Sequence, residues 1–164
     1  MSRDVESEVR TAVAALGFTA EIIDCDPALA DTTQFCAHYG YPESQSANTI
    51  LVASKRPPGR HAACVVLATT QLDVNRTVRN LLEVKKLSFA PPDVTEELTG
   101  MTVGGVTPFA LPEGLPLYVD SAIMQLPWVI LGGGSRSIKV KIDPAALSSI
   151  GARVIEGLAN PTAP

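Results

Sequence analysis

Aromatic side chains make up only 5% of the 164 residues, too few to build the row of rings that single-strand binders usually offer to successive bases. Charge is also sparse. Charged residues are 18% of the chain, and 13 Lys+Arg against 17 Asp+Glu leave a net charge of −4. Long-range steering onto duplex DNA is therefore not expected, and any nucleic-acid contact has to come from a local basic patch. No apolar run approaches the ~20 residues a membrane helix needs. Met1 to Arg10 carries charges where a signal peptide would be apolar, so secretion is not indicated. The three cysteines, Cys25, Cys36 and Cys64, share no repeating spacing and read as reduced thiols rather than a disulfide framework, which places the protein in the cytoplasm. With only two histidines, His38 and His61, there is no ligand pair at zinc-like spacing, and no G-x-S-x-G accompanies them. Neither a metal site nor a serine-hydrolase triad is expected.

What remains is rich in apolar residues, 46% of the chain, which excludes bulk disorder and suits one core in one domain. Val5, Val9, Val13 and Leu16 form one stripe of a helix from Asp4 to Gly17. Phe18 to Asp24 is β-prone, and Asp31 to Tyr39 reads as a second helix, with Asp31 as N-cap and Gly40 as its stop. Thr49 to Ala53 and Ala62 to Ala68 are β-branched, apolar runs on either side of a Pro- and Gly-bearing turn over 54–60. They predict an antiparallel hairpin buried on both faces. Val74, Val78, Leu81 and Leu82 make a third helical stripe, ended by Lys85-Lys86, where cations suit the helix dipole. A short helix over Asp93 to Leu98 follows, then strands at Leu115 to Val119, Trp128 to Leu131 and Ser137 to Ile142, and a last helix opened by Asp143-Pro144. The turns are too short for regular βαβ crossovers. The prediction is a mixed α/β fold whose sheet is largely antiparallel, spanning residues 1–157, with a flexible tail over 158–164.

Two glycine loops are candidates for chemistry. Gly132-Gly133-Gly134-Ser135 precedes a strand rather than a helix, which favours a sharp strand-to-strand turn over a phosphate loop, although consecutive N–H groups can still form an anion nest. Behind it come Arg136, Lys139 and Lys141. The two lysines share one face of a strand, suited to phosphate contact or to solvent. Met101 to Pro108 contains Gly104 and Gly105, which permit unusual backbone angles, and Pro108, which stiffens the exit. Such a loop can aim main-chain donors at an oxyanion or serve only as a turn.

Ala47-Asn48-Thr49-Ile50-Leu51-Val52, Lys85-Lys86-Leu87, Thr99 to Phe109, Tyr118-Val119-Asp120 and Gly132 to Arg136 occur in an order and spacing that resemble the YbaK family. These are aminoacyl-tRNA deacylases related to the editing domain of bacterial prolyl-tRNA synthetase. The resemblance runs from about Asp4 to Gly157, and its most specific segment is the G-x-x-x-P loop, Gly104 to Pro108.

The resemblance implies a barrel-like mixed fold and hydrolysis, without cofactor or protein nucleophile, of an amino acid wrongly esterified to tRNA. The partners it implies are the acceptor end of an aminoacyl-tRNA and an aminoacyl-tRNA synthetase. It further implies that Gly104, Gly105, Val106 and Thr107 line the aminoacyl pocket and offer main-chain N–H donors, with Pro108 fixing their loop. Asn48 would meet the substrate's terminal sugar or carbonyl and Thr49 would bind substrate beside it, while Gly133, Gly134 and Ser135 close the other side. Arg136 and Lys86 would meet phosphates. The family's strand motif usually reads K-T-L; here the lysine position is Asn48, and Lys139 stands where some deacylating members carry an acid. Asparagine keeps hydrogen-bond donors but loses charge and reach. The alternative expectation is therefore a module that binds tRNA or an aminoacyl nucleotide without turnover.

Overall fold

The computed structural model describes residues 4–161. The Asp4 carboxylate accepts the Ser7 N–H at 3.1 Å, satisfying one of the free donors that open α1 (Val5–Leu16), and Gly17 ends the helix in a left-handed conformation. Val5, Val9 and Val13 are its buried stripe. After β1 (Ala20–Asp24), α2 (Thr32–Tyr39) is capped by Asp31, which accepts from Thr33 and Gln34, and is closed by Gly40. Both helices lie where the caps predict.

β2 (Ala47–Arg56) and β3 (Pro58–Leu67) form the expected antiparallel hairpin. Its strands are longer than the sequence suggested, with Lys55 still paired to Pro58. The Ser54 hydroxyl donates to the Pro57 carbonyl and accepts the Arg60 N–H, tying the chain across the base of the turn. Next comes β4 (Thr70–Leu72), and the third helical stripe then starts as a π-helical turn over Val74–Val78 and continues into α3 (Arg79–Leu82). Lys85-Lys86 does not end this helix. Glu83 adopts a left-handed φ of 55° and stops it at Leu82, and Lys86 instead opens β5 (Lys86–Phe89). The chain continues through α4 (Pro92–Thr99), β6 (Leu117–Asp120), β7 (Val129–Gly132), β8 (Ile138–Ile142), α5 (Ala145–Ser149), β9 (Arg153–Ile155) and β10 (Ala159–Pro161).

The strands form a five-stranded sheet in the order β5-β2-β3-β6-β9, a three-stranded sheet β1-β8-β7, and the pair β10-β4. Only β3–β6 and β6–β9 are parallel among these pairs, so the expectation of a mixed, largely antiparallel sheet holds. The two larger sheets meet at a bridge between Ser46 and Ile130. One core lies between them, where Ala47, Leu51, Ala63, Val65 and Val119 face α1 and the inner residues of β7 and β8. A second covers the other face of the hairpin, where Val52, Ala62, Cys64 and Val66 pack on Val74, Val78, Leu82 and Leu158. The hairpin is thus buried on both faces, as its uninterrupted apolar run predicts.

The end of the chain differs from the expected flexible tail. Leu158 has no exposed surface, and Ala159–Pro161 pairs antiparallel with Thr70–Leu72. Residues 162–164 of that tail lie outside the described residues. All three cysteines are free and buried, and among the described residues no helix is long and apolar enough to cross a membrane.

Candidate functional site

The two glycine loops are pressed together, backbone against backbone. The Gly134 N–H donates to the Gly105 carbonyl at 2.7 Å. A Cβ on Gly105 would sit 2.6 Å from the Ser135 main chain, and one on Gly132 only 2.1 Å from the Val106 oxygen. Glycine is required at both places because no side chain fits between the loops. Gly104, at φ +94°, lies under the Arg136 guanidinium, which donates to the Val103 carbonyl at 3.3 Å and to the Pro27 carbonyl at 3.0 Å.

Beside this junction opens a cavity of about 410 Å³, within the size range of small-molecule pockets. One wall is β2, with Ala47, Asn48, Thr49, Ile50 and Leu51; another is the start of α2 with the residues before it, Ala30 to Thr33. Gly104, Val106 and Gly132 bring in the glycine loops, Lys139 comes from β8, and Phe89 and Val103 stand at the cavity as exposed apolar side chains.

The fold thus brings four of the expected site residues, Asn48, Thr49, Gly104 and Val106, to one cavity. The remainder stand elsewhere. Gly105 is buried, and its N–H closes a turn onto the Thr102 carbonyl at 3.0 Å. Thr107 is fully buried; its hydroxyl accepts the Phe109 N–H at 3.3 Å and its own N–H meets Met101 Sδ at 3.4 Å. Pro108 opens the 3-10 turn over Pro108–Ala110 and is buried. Gly133 packs on Ile138 and Gly134 on Val5 and Val9. Ser135 donates to Glu6 of α1, so these three face the interior and α1 rather than closing the cavity. Arg136 is committed to two carbonyls, and Lys86 lies on β5 outside the cavity.

Polar groups converge on the cavity. Of the four N–H groups expected to line it, those of Gly104 and Val106 make no hydrogen bond among the described residues. The Asn48 Oδ1 accepts from the Thr32 hydroxyl at 2.8 Å, which orients the amide and leaves its NH₂ unengaged among the described residues. The Thr49 Oγ1 is buried and has no partner among the described residues, an uncommon condition for a buried hydroxyl and one a ligand acceptor or donor would relieve.

Lys139, expected from the sequence to face phosphate or solvent, is instead buried. Only 7% exposed, it donates to the Ala30 carbonyl at 2.7 Å and lies 5.5 Å from the centre of the Phe35 ring. Burial lowers its pKa below the ordinary lysine value, with the nearby Cys25 thiol acting in the opposite sense. Cys25 is itself raised, chiefly by burial. Lys141 shares the face, as strand alternation predicts, but rests over Trp128, 4.5 Å from the ring centre. This face is covered by aromatics: Phe35, Tyr39, Tyr41 and Trp128 are half of the chain's eight. That concentration was the available signal that the lysines face rings and not open solvent.

A family model described as the aminoacyl-tRNA editing domain matches residues 26–150. The Bacillus subtilis (strain 168) protein named uncharacterized protein YwhH is 29% identical over 126 residues, which are 72% of this chain and 79% of that one. Among solved structures, the hypothetical protein APE2540 superposes with a TM-score of 0.82 at 27% identity, covering 93% of this chain and 99% of its own. A candidate trans-editing enzyme for prolyl tRNA synthetase shares the fold at a TM-score of 0.80 and 21% identity, covering 98% and 99%. With the model matching most of its length and the glycine loops meeting at one cavity, the chain belongs to the aminoacyl-tRNA editing domain family.

Proposed function

We propose that this protein hydrolyses the ester of a mischarged tRNA in trans, after the tRNA has left its synthetase. The observation that carries this reading is the cavity where two main-chain N–H groups without a partner among the described residues, from Gly104 and Val106, stand with Asn48, Thr49 and Lys139. An aminoacyl ester is already activated, so holding it in place and stabilising the charge that develops on its carbonyl oxygen suffices for water to attack. Water adds to the acyl carbon, and the Gly104 and Val106 N–H groups hold the oxyanion. The bond to the ribose oxygen then breaks, that oxygen takes the proton released by the water, and the free amino acid leaves. A single oxyanion donor contributes about 10²- to 10³-fold in rate.

In this reading the Asn48 NH₂, held by Thr32, meets the terminal sugar or the ester carbonyl, and the Thr49 hydroxyl gains the partner it lacks among the described residues. Lys139 supplies, from β8, the positive charge that Asn48 does not supply from β2. Two of its three N–H donors remain beyond the one given to Ala30. Gly105, Thr107 and Pro108 act indirectly, by fixing the loop that carries the two donors.

Purified protein incubated with a panel of mischarged tRNAs is expected to accelerate ester loss for at least one amino acid. A second reading, a module that binds aminoacyl-tRNA without turnover, is favoured by the asparagine at position 48. Ester loss that appears only in Asn48→Lys supports the binding module, and robust ester loss in the wild type removes it.

A further inference from the structure

Phe89 is 52% exposed although it is one of the chain's few aromatic residues, and it stands at the cavity described above. Val103, 56% exposed, stands at the same cavity from the glycine-loop side. A large apolar ring left in water at a cavity costs free energy unless something covers it.

The strand that carries Phe89 leads away into positive charge. Lys86 lies three residues upstream on β5, about 10 Å away at the usual rise of a strand and on the opposite face by alternation; β5 is the edge of its sheet, so the two side chains flank one free edge. Lys86 pairs with Arg56 across the sheet, and the Lys85 N–H donates to the Arg56 carbonyl at 2.7 Å. Lys55 and Arg60 complete the cluster at the hairpin tip, where the Arg60 guanidinium donates to the Leu82 carbonyl at 3.0 Å. Five of the 13 Lys and Arg residues of a net-negative chain are thus gathered at one end, all exposed. None has a carboxylate partner among the described residues, and Glu83 is the one acid within the segment that joins α3 to β5.

We infer that β5 and the hairpin tip form a track for the single-stranded 3′ end of an RNA, with the terminal base stacked on Phe89 and the preceding phosphates lying along Lys86, Lys85 and Arg56. The chemistry of each part fits one strand. A base offers a flat π-face to an exposed ring, and phosphates at nucleotide spacing offer charge to exposed cations. A strand lying this way brings its terminal ribose to the cavity. The inference rests on the proposed function for the identity of the ligand, but it concerns binding alone.

The test is fluorescence anisotropy with a 5′-labelled single-stranded RNA 12-mer ending in CCA. It uses the wild type, Phe89→Ala, Phe89→Trp and Lys85→Ala/Lys86→Ala, each checked by thermal melting because all these side chains are exposed. Phe89→Ala is expected to weaken binding about tenfold, within the range of one lost base–ring stack, while Phe89→Trp binds as well as the wild type. The double lysine variant is expected to lower the slope of log affinity against log salt by about 1.4, as for two single-strand phosphate contacts. Unchanged affinity in Phe89→Ala, or an unchanged slope in the double variant, overturns the inference. If the affinities move as expected and no mischarged tRNA is hydrolysed, the track stands and the hydrolase reading falls. If hydrolysis is robust and the affinities do not move, the reverse holds.

Discussion

Asn48 occupies the cavity through a contact that no sequence pattern announces, the 2.8 Å hydrogen bond from the Thr32 hydroxyl. Thr32→Val keeps the shape of the side chain and removes that donor. It is expected to slow ester hydrolysis about 2- to 12-fold, the worth of one neutral hydrogen bond of 0.5 to 1.5 kcal/mol, and kcat/KM for a mischarged tRNA measures it. Lys139 allows a prediction on stability. Burial lowers its pKa in the folded protein, so between that lowered value and the ordinary value of 10.5 the unfolded chain binds more protons. Stability from this group therefore rises with pH across that window. The Tm of the wild type, relative to that of Lys139→Met at each pH, is expected to climb as the pH rises from the lowered value toward 10.5. A constant difference would mean that Lys139 titrates as an exposed lysine does. Asn48 and the glycine loop were legible as candidates because they stand in a recognisable order along the chain. The burial of Lys139 was not, because it depends on α2 and its aromatics folding over β8.

At the scale of elements, what is local was readable and what is tertiary was not. Asp4 with Gly17 and Asp31 with Gly40 mark two helices through hydrogen bonds within a few residues of each end. The strands Thr70–Leu72, Arg153–Ile155 and Ala159–Pro161 are three residues long and exist because a distant partner pairs with them. Lys85-Lys86 was misplaced for a related reason, since an αL residue, Glu83, ended the helix early without a glycine to signal it. The contact between the glycine loops has the same tertiary character. Gly132→Ala places a Cβ 2.1 Å from the Val106 oxygen, at a backbone angle alanine tolerates, so the cost is steric. It is expected to lower unfolding stability by about 1 to 3 kcal/mol and to slow hydrolysis by moving Val106. Urea denaturation gives the first, and the ester assay the second.

For the molecule as a whole, the C-terminal segment closes the second core instead of hanging free. Leu158→Ala is expected to cost about 2 to 5 kcal/mol, as for a leucine in a full core, and a shift of the urea midpoint reads it directly. A surface leucine in a loose tail would cost almost nothing. The charge distribution likewise acts at this scale, since a net charge of −4 coexists with a basic end on β5, the strand that also carries Phe89 to the cavity. The mixed fold and the pairing of the long hairpin were legible from alternation and apolar runs; the way two sheets meet to form a cavity was not, because it arises from the Ser46–Ile130 bridge and the close contact of two distant loops. The central claim is that main-chain N–H groups in this cavity hold the oxyanion of ester cleavage. It is tested most directly by single-turnover ester loss from a mischarged tRNA when the residue at 106 is replaced by α-hydroxyisovaleric acid. This replacement exchanges the N–H for an oxygen and keeps the side chain. A fall in rate of about 10²-fold or more is predicted, and a rate equal to that of the wild type would contradict it.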